Sequence, residues 1–158
     1  MKNGVIAGVS GVVAGVILTM VIIWSNASAM MLLEDEVKYG FDEAVEKFEK
    51  SAIESGWKIP TIHDLQATMK KFGKDVKKVT VFELCHPDHA YEILSRDQER
   101  VVSSLMPCRI AIYEKADGKV YASRMNTSLM GNMMDGVIPK VMKTASTESE
   151  NILNTILK

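Results

Sequence analysis

The sequence predicts an α+β fold: a curved antiparallel sheet with helices on one face, in the order β-α-β4-α, preceded by one transmembrane helix. Three observations predict it. Residues Val79 to Leu84 alternate over two faces, as a strand between neighbours does. Arg109 to Glu114 and Lys119 to Arg124 alternate in the same way, and the Asp117-Gly118 between them supplies the positive backbone angles of a tight hairpin. Apolar residues recur at helical spacing in two other places, from Asp42 to Ser55 and from about Ser128 to Leu157.

In chain order, residues 4 to 24 carry no charged side chain, and the next charge after Lys2 is Glu34. A helix over this run reaches roughly 30 Å at about 1.5 Å per residue, the thickness of a bilayer's hydrocarbon core. Trp24 falls where an interfacial aromatic belongs. Ala27-Ser28-Ala29 is a small-residue cleavage pattern, but a secretory core is normally only about 7 to 15 apolar residues long. A retained single-pass anchor over residues 1–29 is therefore expected. Lys2 places the N-terminus inside and the domain of residues 30–158 on the extracytoplasmic side, the periplasm in a Gram-negative cell. Gly4-x-x-x-Gly8 and Gly11-x-x-x-Gly15 put small residues on one side of that helix, where another helix can approach.

Met30 to Val37 is expected to be the first strand. Phe41, Val45, Phe48 and Ala52 then define an amphipathic helix with acids early and Gly56 as its stop. Trp57 to Ile62 is expected to return as a short strand. Asp64 is expected to cap a short helix whose Leu65, Met69 and Phe72 face inward, ending at Gly73. The Val79 strand ends at Cys85, where Pro87 stops the ladder. Asp88 is expected to cap a helix bearing Ala90, Ile93 and Leu94, and a linker leads through Ser103-Ser104 to Pro107 and the hairpin. The last segment reads as one long helix, in which Pro139 marks a kink or the true first turn.

The charges are 19 basic against 20 acidic, a net of -1, which gives no field to attract nucleic acid. The basic cluster Lys70, Lys71, Lys74, Lys77 and Lys78 reads as a solvated face, with contact to anionic lipid as the alternative. There is no G-x-S-x-G, no phosphate-cradling glycine loop and no H-E-x-x-H, so hydrolase and nucleotide readings have no support. The sequence names no catalytic residue and no cofactor.

Phe41-Asp42-Glu43-Ala44-Val45, Ser55-Gly56-Trp57, Val81-Phe82-Glu83-Leu84-Cys85-His86-Pro87, Met106-Pro107-Cys108-Arg109-Ile110 and Asp117-Gly118-Lys119-Val120 stand in the order of a known pattern. Over about residues 30 to 145 the chain resembles the family called domain of unknown function 302. The resemblance implies a fold like that of the TATA-box-binding protein and a homodimer; it brings no catalytic residue.

Cys85, His86 and His89 place a thiol and two imidazoles within five residues, and Cys108 can join them from the neighbouring strand. Sulfur and imidazole suit zinc, copper or haem iron, so Cys85, His86, His89 and Cys108 are the candidate metal ligands. The absence of C-x-x-C spacing keeps two other readings open: a disulfide or redox pair, or two unbridged structural cysteines. His63 reads as a loop or helix-entry residue. Met125, Met130, Met133 and Met134, with Met106 nearby, serve either as core filling or as an adaptable lining for a ligand. Arg109 and Arg124 can neutralise an anionic ligand or pair with acids such as Glu83 or Glu114. Cys85, His86, Cys108, Arg109, Met125 and Met130 are thus the expected ligand-binding or redox residues. The function expected is a membrane-anchored extracytoplasmic module that holds a small ligand or cofactor between the sheet and the last helix. The alternatives are a thiol-redox or soft-metal protein and a structural homodimer.

Overall fold

The computed structural model describes residues 2–158, with the side chains of residues 2–11, 13, 14, 26 and 28 outside the description. The chain divides into two compact units, Met1–Met31 and Leu32–Lys158.

The first unit is helix α1, Lys2–Met31. The expected transmembrane anchor is corrected here: among the described residues, no helix is long and apolar enough to cross a membrane. A span needs about 20 consecutive apolar residues, and no such run is found among the described residues. The extracytoplasmic location rested on the anchor and is withdrawn with it. The Gly4, Gly8 and Gly11 positions of the small-residue stripe lie outside the described side chains.

The second unit runs β1 (Leu32–Glu36), α2 (Phe41–Glu54), β2 (Ile62–Asp64), α3 (Leu65–Lys71), β3 (Val79–Leu84), α4 (Pro87–Leu94), a 3-10 helix (Glu99–Leu105), β4 (Cys108–Glu114), β5 (Val120–Met125), α5 (Thr127–Gly131) and α6 (Ile138–Leu153). Its five strands form one antiparallel sheet in the order β1-β5-β4-β3-β2. The α+β order read from the sequence is the order observed.

Alternation along β3 buries Thr80, Phe82 and Leu84 on one face. Antiparallel register sets Phe82 opposite Ile110 and Leu84 opposite Cys108, while Ile112 faces Ala122 across β4 and β5. Phe48 of α2 meets Phe82 edge-on at 4.9 Å, and Ala44 and Ala52 let that helix approach closely. Ile152 and Leu153 of α6, with Ile156 beyond it, complete this main core. A second cluster of Ile93, Val102, Ile138, Val141 and Met142 joins α4, the 3-10 helix and α6.

Four local readings change. Trp57 to Ile62 does not form a strand: Gly56 takes φ 84° at the end of α2 and turns Trp57 into the core at 3 % exposure, leaving only Ile62–Asp64 as edge strand β2. Asp64 caps α3 as expected, accepting from the Ala67 N–H at 2.8 Å, a bond worth about 1 kcal/mol. The helix lies at the sheet's edge and buries none of its residues, and Phe72 just after it is 73 % exposed. The cap of α4 is His86 rather than Asp88, because Pro87 occupies the first turn, where its missing N–H costs nothing. The long last helix is two: Gly136 at φ 69° interrupts it, and α6 begins with Pro139 in its first turn.

The other sheet face carries Tyr113 and Tyr121, stacked at 6.3 Å, and the Tyr113 hydroxyl donates to Glu34, which also accepts from Lys115 at 2.7 Å. Burial, and then the bond to the Glu34 carboxylate, push the Tyr113 phenol up to about 12. An ultraviolet titration is expected to show one of the four tyrosines ionising near that value, and Glu34→Gln to bring it back toward 10. Since the unfolded chain loses this proton first, the contribution to stability is intact below pH 10 and is lost between 10 and about 12.

Candidate functional site

The sheet leaves one open end where β3 stops and β4 begins. Past Leu84, Cys85 exchanges two backbone bonds with Lys58, at 2.8 and 2.9 Å, which ties the strand end to the segment after Trp57. His86 then caps α4, and His89 follows three residues later, so both imidazoles lie on one side of the helix's first turn. Their ring centres are 4.3 Å apart. Trp57 contacts both edge-on, at 5.6 and 6.0 Å.

From the other side come α6 and the 3-10 helix. Val141, Met142 and Ala145 of α6, Val102 and Leu105 of the 3-10 helix, and Ala90 and Ile93 of α4 line a partly open apolar cavity of about 60 Å³. Cys85, His86, His89 and Cys108 line its sheet end, and Met106-Pro107 lead into it. One turn beyond Ala145, Glu148 accepts from or shares a proton with His89, its Oε2 lying 2.9 Å from the ring Nε2. The buried Nδ1 of His86 has no hydrogen-bond partner, alone among the buried side-chain nitrogens and oxygens of the described residues.

Cys85 and Cys108 are both free thiols on this cavity. Burial pushes the Cys108 thiol up, and the nearby Cys85 adds to that. Cys108 is therefore expected to react with iodoacetamide more than about tenfold slower in the native chain than in denaturant, since burial limits both thiolate formation and reagent access. Mass spectrometry of a timed labelling series measures this directly.

The cluster of metal-ligand type among the described residues is His86, His89 and Glu148; neither cysteine belongs to it. Arg109 lies away from it, paired with Glu83 at 3.2 Å, and the same carboxylate is 3.1 Å from His63. Met125 borders a separate cleft of about 10 Å³ with Arg109 and Arg124. Met130 and Met134 pack against the second core cluster, and Met133 is 82 % exposed. Of the methionines expected near a ligand, Met106 reaches the main cavity, where Met142 of α6 joins it. Sequence reasoning missed Glu148 and Trp57. Glu148 carried one readable signal, a carboxylate in helical register with the buried Val141 and Ala145.

A family model described as domain of unknown function DUF302 matches residues 33–156. The chain belongs to this family. The crystal structure of an uncharacterized conserved DUF302 protein from Bacillus stearothermophilus is similar, with a TM-score of 0.71 and 19% identity over 80% of this chain and 98% of that one. At that identity the likeness concerns the DUF302 fold. The chain matches no curated protein.

Proposed function

We propose that this DUF302 chain is a binding module for a ligand of a few heavy atoms, held between the sheet and α6. The observation that carries this is the partly open apolar cavity of about 60 Å³ at the junction of β3, β4, α4, the 3-10 helix and α6. A single water needs roughly 10–15 Å³ of such space, so this cavity has room for more than one water. Drug-sized or haem-sized groups need several hundred Å³. Apolar walls favour the transfer of an apolar ligand out of water, and the thiols and imidazoles at one end give it a single orientation.

Xenon is a suitable probe, because small dry apolar cavities take it up. Under xenon pressure, the methyl resonances of Met142, Val141 and Ile93 are expected to shift with saturation, while those of exposed Val101 stay in place. Ala145→Val, which fills the cavity, is expected to abolish the response. Shifts that are absent, or equal in the filled variant, would sink the reading.

A second reading rests on both free cysteines opening onto the same cavity, which makes the bound species one that contacts sulfur. Cys85→Ser and Cys108→Ser distinguish the two: an apolar ligand is retained by both variants and a sulfur-contacting one is lost.

A further inference from the structure

We propose that His86, His89 and Glu148 form a site for one borderline divalent transition-metal ion, of the zinc, cobalt or nickel class. One ligand atom from each residue lies within 4.8 Å of the others. A tetrahedral ion bound at 2.0–2.2 Å holds its donors about 3.4 Å apart. Rotations that move the side-chain tips by about 1 Å therefore complete the geometry, and His89 and Glu148 already stand at 2.9 Å.

The donors come from the start of α4, with His86 as its N-cap and His89 in its first turn, and from α6. Pro87 sets the entry of α4, so that His86 and His89 share a side of its first turn. Glu148 lies one turn along α6 from Ala145, which is buried on the cavity side. Trp57, at 3 % exposure, walls both rings.

The buried His86 Nδ1 supplies an independent reason. An unsatisfied buried polar atom costs about 1–3 kcal/mol, and protein folds rarely leave one without a water, a partner or an ion. No side chain or backbone group meets this nitrogen. Coordination of the ion through this Nδ1 satisfies the atom and removes the anomaly.

Donor chemistry selects the class of ion. Two imidazoles and a carboxylate are the set that zinc and its neighbours accept, whereas magnesium and calcium call for oxygen alone. Copper(I) would favour the thiolates of Cys85 and Cys108, which lie outside the cluster. Three protein donors leave at least one coordination position for water or a small donor. The site stands apart from the xenon-type cavity reading, since the ion is held by polar atoms at the cavity's end and either can fail alone.

The test is titration of the full chain with cobalt(II) and zinc(II). Wild type is expected to bind one equivalent and to give cobalt ligand-field bands without an intense sulfur-to-metal charge-transfer band. His86→Ala, His89→Ala and Glu148→Gln are each expected to weaken binding by more than about tenfold, at least what loss of a mere supporting group costs. Cys85→Ser and Cys108→Ser are expected to leave it unchanged. Histidine ring-nitrogen NMR of the wild type guards against a variant that does not fold: zinc should move the signals of His86 and His89 and leave His63, the third histidine, in place. Lack of saturable binding, a sulfur charge-transfer band, full affinity in Glu148→Gln, or unmoved His86 and His89 signals would each overturn the site.

Discussion

Phe82→Ala is expected to destabilise the second unit by about 3–5 kcal/mol, seen as a fall in the denaturation midpoint at unchanged denaturant dependence. Phe82 has no exposed surface, sits on an interior strand between Ile62 and Ile110, and takes the edge of Phe48 at 4.9 Å. Removing the ring loses its transfer free energy and leaves a hole. The partners around it stand on a sheet and a helix that cannot collapse inward. Small domains have only about 5–15 kcal/mol in total, so the variant should fold marginally at best. Val101→Ala, at an exposed position, should change stability by less than about 0.5 kcal/mol. A comparable loss at both positions would mean that the packing described here is not what holds the unit together.

Arg124→Ala is expected to cost about 3 kcal/mol, the low end of the range for removing one partner of a buried ion pair. The guanidinium is 10 % exposed and lies on the helix-facing side of β5. It donates to both carboxylate oxygens of Glu150 on α6, at 2.8 and 2.6 Å, and also to Asp35 on β1. Alanine strands these two acids near each other without a cation. Asp35 is about half exposed and can recover hydration, which keeps the cost from the upper end. Arg124→Ala combined with Glu150→Gln should recover part of the loss, because one stranded charge is gone. If the double variant is no better than the single, the destabilisation comes from lost packing of the side-chain stem instead.

The parts legible in the sequence were those set by local rules. The period-two burial of β3, the Asp117-Gly118 hairpin and the stripe of α2 each follow from neighbours in the chain, and each formed. Trp57 to Ile62 misled because aromatic and β-branched residues suit a strand and a core plug equally, and the Gly56 turn decided between them. The 3-10 helix at Glu99–Leu105 was invisible because only Val102 in it is buried, too few points to define a period. The same division runs through the site. Cys85, His86 and His89 announce themselves by spacing, but the partner of His89 lies 59 residues away on α6. No local pattern says which face of which helix that loop will meet. Arg124 was readable either as an anion-binding side chain or as the partner of an acid, and only the fold brings Glu150 and Asp35 to its donors.

The sheet's two margins bear on how this chain behaves when crowded. Exposed strand edges invite other strands to add, which is the first step of aggregation. One margin here is β2, three residues long, too short to template much of a ladder. The other is β1, and residues 156–158 run along its end: the Lys38 N–H donates to the Ile156 carbonyl at 3.0 Å and the Lys158 N–H to the Glu36 carbonyl at 3.1 Å. The Lys158 ammonium also pairs with the Glu36 carboxylate. These residues form a selvage over the Glu36 end of β1, so a change confined to Lys158, unlike one at the core residue Ile156, bears on colloidal behaviour while leaving the cavity and its histidines untouched.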